Sequence, residues 1–226
     1  MGFSFIFEYY PYYITGTKNT IILAAFTVFF GVILGVLLAL MKLSKIGPLR
    51  YIATAYIEFI RGTPLLVQIS IIFYGLSYVG ISFPEVPAFG DDFPRFMAGV
   101  TALSINSSAY VAEIIRSGIQ AIDKGQMEAA RSIGMPHRMA MQYIILPQAI
   151  KNILPALGNE FVVVIKESSI VMVIGISELM YNADVVRGTT FNPFGPLLFA
   201  ALIYFVLTFT TSKLLGVAER RMRAGD

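Results

Sequence analysis

The sequence is poor in charge: only 14% of its 226 residues are Asp, Glu, Lys or Arg, whereas 56% are hydrophobic. A soluble domain with this balance would have too little polar surface to cover itself. The chain also has no cysteine, which excludes disulfides and thiolate metal sites and says little about compartment. We therefore expect lipid to form part of its solvent.

Five segments have the length or apolar character of membrane spans, which need about 20 mostly apolar residues. They are Thr20 to Met41; Leu65 to Val79, preceded by a mixed stretch from Tyr51; Phe96 to Ile115; Ile153 to Ile174; and Pro196 to Ser212. The middle three are less apolar, so we expect them to face protein or a polar cavity. The predicted fold is an all-α integral membrane protein of about five transmembrane helices, with one transmembrane domain over residues 1–226.

The distribution of charge predicts the orientation, because Lys and Arg are retained on the cytoplasmic side. Basic residues follow the first, third and fifth spans: Lys42, Lys45, Arg50; Arg116, Lys124, Arg131, Arg138; and Lys213, Arg220, Arg221, Arg223. The other two loops contain mostly acids: Glu85, Asp91, Asp92, Glu178 and Asp184, against Arg95 and Arg187. This pattern predicts an N-terminus outside and a cytoplasmic C-terminus, which an odd number of spans satisfies.

The first residues, 1–19, have neither a positive start nor a small-residue cleavage site, so we do not interpret them as a signal peptide. This segment contains a cluster of tyrosines: Tyr9, Tyr10, Tyr12 and Tyr13. Aromatic residues of this kind are typical of the membrane–water interface. We expect an interfacial N-terminal segment.

The predicted cytoplasmic loop over residues 116–146 is about 30 residues long, whereas most connections in helix bundles have 2 to 8. Within it, Gln126 to Ile133 favour a short helix that Gly134 can end in a left-handed conformation. The small Ala129 and Ala130 would let this helix sit deep in another protein's groove, and Glu128 suits its first turn. The alternative is an amphipathic helix lying on lipid.

The fourth span carries charges that are costly in lipid: a carboxylate such as Glu160 costs about 2.5 to 3.5 kcal/mol at the centre of a span. Asn159 and Lys166 fall on one helix stripe, and Glu160 and Glu167 fall on a neighbouring one. Together these groups indicate the side of a hydrophilic path. The alternative is that Lys166 and Glu167 pair with other helices. An unpaired Glu160 would favour a substrate with a cationic side chain.

Two more polar groups lie in predicted spans. Glu58 and Arg61 precede Pro64, which can kink the helix. A local ion pair is the simpler interpretation, and a gate or substrate contact is the alternative. The third span holds small polar residues that are typical of helix packing: Asn106, Ser107 and Ser108.

Several motifs together resemble a known family. They are Glu128-Ala129-Ala130 with Gly134 and Ile145-Leu146-Pro147; Phe59 to Gln68, FIRGTPLLVQ; Ala109 to Gln126, AYVAEIIRSGIQAIDKGQ; Leu154 to Phe161, LPALGNEF; and Lys166 to Leu179, KESSIVMVIGISEL. The first set resembles the EAA loop of ATP-binding cassette importer permeases, and the whole resembles their polar amino acid subfamily, which serves histidine, arginine and glutamine. One departure is Glu167-Ser168-Ser169, where the family pattern has Asp-Thr-Ser.

The resemblance implies a permease that couples to a separate ATPase through a cytoplasmic coupling helix between the third and fourth spans. The implied coupling residues are Gly125, Glu128, Ala129, Ala130, Gly134, Leu146 and Pro147. The implied partners are two ATP-binding subunits, a second permease copy, with a homodimer favoured, and an extracytoplasmic amino-acid-binding protein. It also implies a prokaryotic plasma membrane as the location.

The sequence contains no GxxxxGK[ST] phosphate loop, so we expect ATP and Mg²⁺ to be bound by the partner ATPase and no cofactor by this chain. It has no GxSxG elbow and one histidine, His137, so neither a catalytic triad nor a zinc site is expected. The basic loops lack the interleaved aromatics of nucleic-acid binders. The alternative function is a secondary transporter driven by an ion gradient, although no internal repeat supports it.

Overall fold

The computed structural model describes residues 5–86 and 92–223, and every regular element in this part of the chain is helical. The helices are α1 (Phe5–Leu43), α2 (Gly47–Gly62), α3 (Leu65–Ser70), α4 (Leu76–Tyr78), α5 (Phe93–Gln120), α6 (Lys124–Ser132), α7 (His137–Ala140), α8 (Leu146–Glu167), α9 (Leu179–Thr190) and α10 (Gly195–Arg223). Two π-helical turns join α3 to α4 and α7 to α8, and a 3₁₀ segment, Ser168–Ile174, extends α8. The all-α prediction is confirmed.

Helices α1 and α10 are each long and apolar enough to cross a membrane. The pair formed by α2 and Leu65–Tyr78 is a third candidate, although it is bent by 107°. Helices α5 and α8 have the length of spans but carry charges, such as Glu113 in α5 and Glu160 in α8. That α5 and α8 also cross the membrane, which gives five spans, stays a prediction.

The 39 residues of α1 make it about 58 Å long, roughly twice the thickness of the hydrocarbon core. It begins at Phe5, so the described part of the predicted interfacial segment continues the first span without a break. Tyr10 and Tyr12 are exposed, but Tyr13 is buried with its ring edge on Phe199. Its hydroxyl donates a hydrogen bond to the Pro196 carbonyl. Tyr13 therefore packs α1 against α10, and the interfacial position of the segment stays a prediction.

The most extensive helix contact is between α1 and α5, and it depends on glycine. A Cβ atom at Gly35 would lie 2.5 Å from Cγ1 of Val111 and 3.0 Å from the carbonyl oxygen of Ser108. Small residues allow this close approach of helix backbones inside a membrane, where packing drives association. Gly35 thus sets the distance between the two helices.

We expect Gly35→Ala to lower the thermal unfolding temperature in detergent. The Cβ atom of Val111 and the backbone of α5 cannot move aside without disturbing the packing of α5 on α1. Overpacking of this kind costs about 1–3 kcal/mol. The matched control is Gly62→Ala, since a Cβ atom at Gly62 meets nothing within 4 Å. Equal unfolding temperatures for the two variants would contradict this account of the α1–α5 contact.

The bend between α2 and α3 has a local cause. Proline has no N–H and disfavours helical backbone in the preceding residue, and Thr63 is indeed extended before Pro64. The buried Gln68 side chain then donates to the carbonyl oxygens of Ile60, at 2.7 Å, and Thr63, at 3.1 Å. The predicted kink at Pro64 is confirmed, and Gln68 satisfies backbone groups that the break leaves open.

Candidate functional site

The centre of the candidate site is Glu160, a buried carboxylate on α8. The hydroxyl of Ser107, on α5, donates to its Oε1 atom at 2.7 Å. Within the described part of the chain, Glu160 has no ion pair with a Lys or Arg side chain. The site is therefore a carboxylate held between helices by one neutral donor, and no described Lys or Arg offsets its charge.

The other candidates on α8 lie outside this buried position. Asn159 and Lys166 are exposed, and Glu167 is partly buried. Lys166 borders a cleft of about 470 Å³ between α8 and α10, together with Ser169 and Tyr204. The side chains of Lys166 and Glu167 make no hydrogen bond or ion pair with a described residue, and the alternative that they pair with other helices stays a prediction.

One stripe of the exposed surface of α8 is polar, although Ile150 and Leu154 are also exposed on this helix. Asn152, Asn159 and Lys166 are all exposed and follow one another at intervals of seven residues, which places them on one stripe of the helix. The exposed faces of α1 and α10, in contrast, carry residues such as Phe29 and Phe205. A polar face at membrane depth indicates contact with protein or water rather than with lipid.

The simpler interpretation predicted an ion pair between Arg61 and Glu58, but the two side chains do not pair. The Arg61 guanidinium lies 4.0 Å from Glu113 Oε2 and 5.7 Å from the centroid of the Tyr110 ring. Glu58 is exposed and has no ion pair with a described residue. The local pair was wrong because α2 turns its Arg61 side toward α5, while Glu58 points away from the bundle.

Glu113 also binds two further cations. Lys42, at the end of α1, lies 2.5 Å from its Oε1 atom, and Arg116 lies 2.7 Å from its Oε2 atom. The cluster joins α1, α2 and α5 at one end of the bundle, as expected for basic residues predicted to share the cytoplasmic side. The sequence signal for it was the spacing of Glu113 and Arg116, one helical turn apart.

The small polar residues of α5 each contact a different element. The Asn106 side chain donates to Gln68 Oε1 at 2.9 Å, and Ser108 shares a hydrogen bond with the Tyr56 hydroxyl at 3.0 Å. The packing interpretation is confirmed for these two. Ser107 differs, because its partner is the candidate substrate residue Glu160.

Glu178, predicted to be an acid of an external loop, has a fully buried side chain at the start of α9, and its position outside the membrane stays a prediction. Its carboxylate accepts hydrogen bonds from the backbone N–H groups of Met180, at 2.8 Å, and Tyr181, at 2.7 Å. It also accepts one from the Tyr204 hydroxyl at 2.7 Å. Glu178 therefore caps α9 and ties it to α10.

The remaining acids of the predicted external loops are local in their contacts. Asp92 pairs with Arg95 at 2.7 Å, and Asp184 pairs with Arg187 at 2.6 Å, each within one helical turn. Asp91 lies outside the described residues. These exposed pairs add little stability.

The predicted coupling segment contains a helix, as expected, over Lys124–Ser132. Asp123 caps it by accepting from the Gly125 N–H at 2.6 Å. Gly134 has φ +87°, and the Met135 N–H closes the turn on the Ala130 carbonyl at 3.1 Å. The left-handed end at Gly134 is confirmed, and only glycine adopts it readily.

The ends of the predicted loop over residues 116–146 are helical. Helix α5 continues to Gln120, and the helical stretch that leads into α8 begins at His137. Leu146 and Pro147 therefore lie in the first turn of α8 rather than in a loop. The prediction overestimated the loop, because α5 runs past Arg116 and the helical stretch before Pro147 starts at His137.

The two alanines of the coupling segment face opposite ways: Ala129 is exposed, but Ala130 is buried against this chain and cannot enter a partner's groove. The outward face includes Glu128, Ala129 and Ile133, and the side chain of Ile133 is 80% exposed. The sequence interpretation did not single out Ile133 as a contact residue. An exposed isoleucine beside a glutamate indicates a small docking surface of mixed character.

No group of three His, Cys, Asp or Glu side chains that could hold a metal ion occurs in residues 5–86 and 92–221. His137 is exposed at the start of α7. That the chain binds no cofactor of its own stays a prediction.

Relatives of known name cover nearly the whole chain. It is 42% identical over 223 residues to a Rickettsia conorii protein named for a glutamine transport system permease, GlnP, covering 97% of this chain and 98% of that protein. It is 41% identical over 226 residues to the arginine transport system permease protein ArtQ of Bacillus subtilis, covering 100% of this chain and 99% of that protein.

A solved structure described as an amino acid ABC transporter with histidines matches with a TM-score of 0.89 and 53% identity. The match covers 98% of this chain and 100% of the other. Residues 31–224 match the family described as the inner membrane component of binding-protein-dependent transport systems. The family description and the bacterial relatives confirm the predicted inner-membrane location and the resemblance to ATP-binding cassette permeases. The chain therefore belongs to the family of inner membrane components of binding-protein-dependent transport systems.

Proposed function

We propose that this chain is the permease subunit of an ATP-driven amino-acid importer and that it forms the path for a basic amino acid such as arginine, lysine or histidine. The names of its relatives support an amino-acid substrate. The observation that carries the preference for a basic substrate is the buried, unpaired carboxylate of Glu160.

A buried carboxylate with one neutral donor is costly, because the missing solvation is not offset by an opposite charge. Ser107 supplies a single hydrogen bond at 2.7 Å, and no described cation is paired with Glu160. A substrate's ammonium or guanidinium group would supply the missing charge. Since every amino acid has an α-ammonium group, the preference would come from a second cation on the side chain.

The proposed path lies beside a second permease copy, and we favour a homodimer. The support is the exposed polar stripe of Asn152, Asn159 and Lys166, which is unsuited to lipid. Glu58, exposed without an ion pair to a described residue, is a further candidate for this lining, and so is Glu167. Arg61, bound near Glu113, would act at the end of the path rather than along it.

ATP hydrolysis would be carried out by two partner subunits that bind ATP and Mg²⁺, since this chain has no phosphate loop. The proposed docking surface is the outward face of α6 with its end at Gly134. Its polar residues, such as Glu128, suit a protein partner better than the alternative of lying on lipid. A binding protein on the opposite side of the membrane would deliver the amino acid.

The experiment is uptake of radiolabelled amino acids into liposomes that contain this chain with its candidate ATPase. Arginine, histidine, lysine, glutamine and glutamate are compared with and without enclosed ATP. We expect ATP-dependent uptake of the three basic amino acids. Uptake that ignores ATP and follows a proton or sodium gradient would instead establish the secondary transporter, and equal uptake of glutamine and arginine would refute the basic preference.

A further inference from the structure

A groove that is unrelated to the proposed path lies between α1 and α10, near the N-terminal end of α1. It has a volume of about 650 Å³ and opens on the outside of the helix bundle. This is within the range of small-molecule sites, about 300–1,000 Å³. Ile21 on α1 and Phe199 and Ile203 on α10 form its apolar part.

The polar residues of this groove are on α1. They include Tyr10, Thr17 and Lys18, and no Asp or Glu is among the lining residues. Lys18 is exposed and makes no hydrogen bond or ion pair with a described residue. The groove therefore joins an apolar trough to a free positive charge.

The position of Lys18 along α1 places this charge at the surface of the hydrocarbon core. The uncharged run of α1 starts two residues later, at Thr20, and extends to Met41. Lysines at the ends of spans hold their ammonium groups at the depth of the lipid headgroups. Ile21 and Ile22 continue the groove from that depth toward the membrane centre, whereas Phe199 packs on Tyr13, nearer the N-terminal end of α1.

The surface around the groove is suited to lipid rather than to another helix. Helices that associate in membranes use small or polar residues at their contact. The neighbouring exposed residues of α10 are instead large and apolar, as Leu202, Phe205 and Val206 illustrate. A second copy of this chain is better accommodated by the polar stripe of α8.

We propose that this groove binds one anionic phospholipid from the leaflet at the N-terminal end of α1. An acyl chain lies along Ile21 and Ile22, and the phosphodiester pairs with the ammonium group of Lys18. An anionic headgroup is favoured over a zwitterionic one because the groove offers a cation and no acid.

The test uses the absence of tryptophan from the chain. The full chain carrying Ile21→Trp, in the groove, or Leu202→Trp, exposed beside it, is reconstituted in phosphatidylcholine vesicles with a small share of brominated phosphatidylglycerol. We expect the bromines to quench the fluorescence of the Ile21→Trp variant more than that of the Leu202→Trp variant. One lysine near an anionic headgroup gives roughly a fivefold preference.

Second variants separate the charge from folding. Adding Lys18→Gln should reduce quenching in the Ile21→Trp variant to the level of the Leu202→Trp variant, whereas Lys18→Arg should preserve it. Lys213→Gln, at the other end of α10, is the matched control and should have no effect. Equal quenching of both tryptophan variants would overturn the proposal, since it would mean that lipid surrounds the protein without a specific site in the groove. The proposal would also be overturned if brominated lipid quenched the Ile21→Trp variant only at a low ratio of protein to lipid. That result would mean that a second copy of the chain covers the groove.

Discussion

Gly134→Pro is expected to uncouple ATP hydrolysis from uptake in the assembled importer. Gly134 has φ +87°, whereas proline is fixed near −65°. The substitution also removes the Gly134 N–H, which donates to the Arg131 carbonyl at 3.0 Å. The turn between α6 and α7 must then rearrange, and with it the surface offered to the ATPase. Coupling between protein sites is typically worth roughly 5- to 150-fold, and a loss of uptake in that range is expected while ATPase activity persists.

Two further variants control this prediction. Gly134→Asn should keep most of the coupled uptake, because asparagine tolerates the left-handed conformation better than other residues. Glu128→Arg leaves the turn intact but reverses the charge of the outward face, so it should also reduce coupling. Full coupled uptake by both Gly134→Pro and Glu128→Arg would show that the ATPase docks elsewhere.

Features that depend on neighbours in sequence could be predicted. Gly134 ends α6 because few other residues adopt its conformation, and Pro64 breaks the helix between α2 and α3 because it lacks an N–H. The charge-free run after Thr20 identified the core of α1. Each of these inferences needs only local chemistry and the length of a helix.

Features that depend on contacts between distant parts of the chain could not be predicted. Glu178 is separated by 26 residues from its partner Tyr204, and Glu113 by 71 residues from Lys42. Their burial or pairing follows from the register in which helices pack, which one sequence does not contain. The size of the bend at Pro64, 107°, likewise depends on Gln68 reaching Asn106 on α5.

The candidate site lies between these cases. The cost of a carboxylate in a membrane span was enough to select Glu160, and its burial on α8 agrees with that choice. Its partner Ser107 was interpreted as a packing residue because nothing in the sequence aligns α5 with α8. Asn159 and Lys166, one and six positions away from Glu160 along the chain, share the helix but not its buried face.

Glu160→Gln should lower arginine uptake strongly while leaving glutamine uptake nearly unchanged. The amide has almost the shape of the carboxylate and still accepts the hydrogen bond from Ser107, so the packing of α5 on α8 persists. What disappears is the negative charge. A hydrogen bond to a charged group is worth about 1.5–3 kcal/mol, which is roughly 10- to 100-fold in affinity, and the KM for arginine should rise within that range.

Glu178→Gln is the matched control, because Glu178 is also a buried carboxylate but caps α9 and binds Tyr204. It should lower the thermal unfolding temperature without changing the ratio of arginine to glutamine uptake. Measuring both amino acids and the unfolding temperature for each variant separates the two roles. If Glu160→Gln reduced the uptake of both amino acids equally, or left their ratio unchanged, its charge would not select the substrate. Glu160 would then belong with Glu178 among the groups that hold helices together.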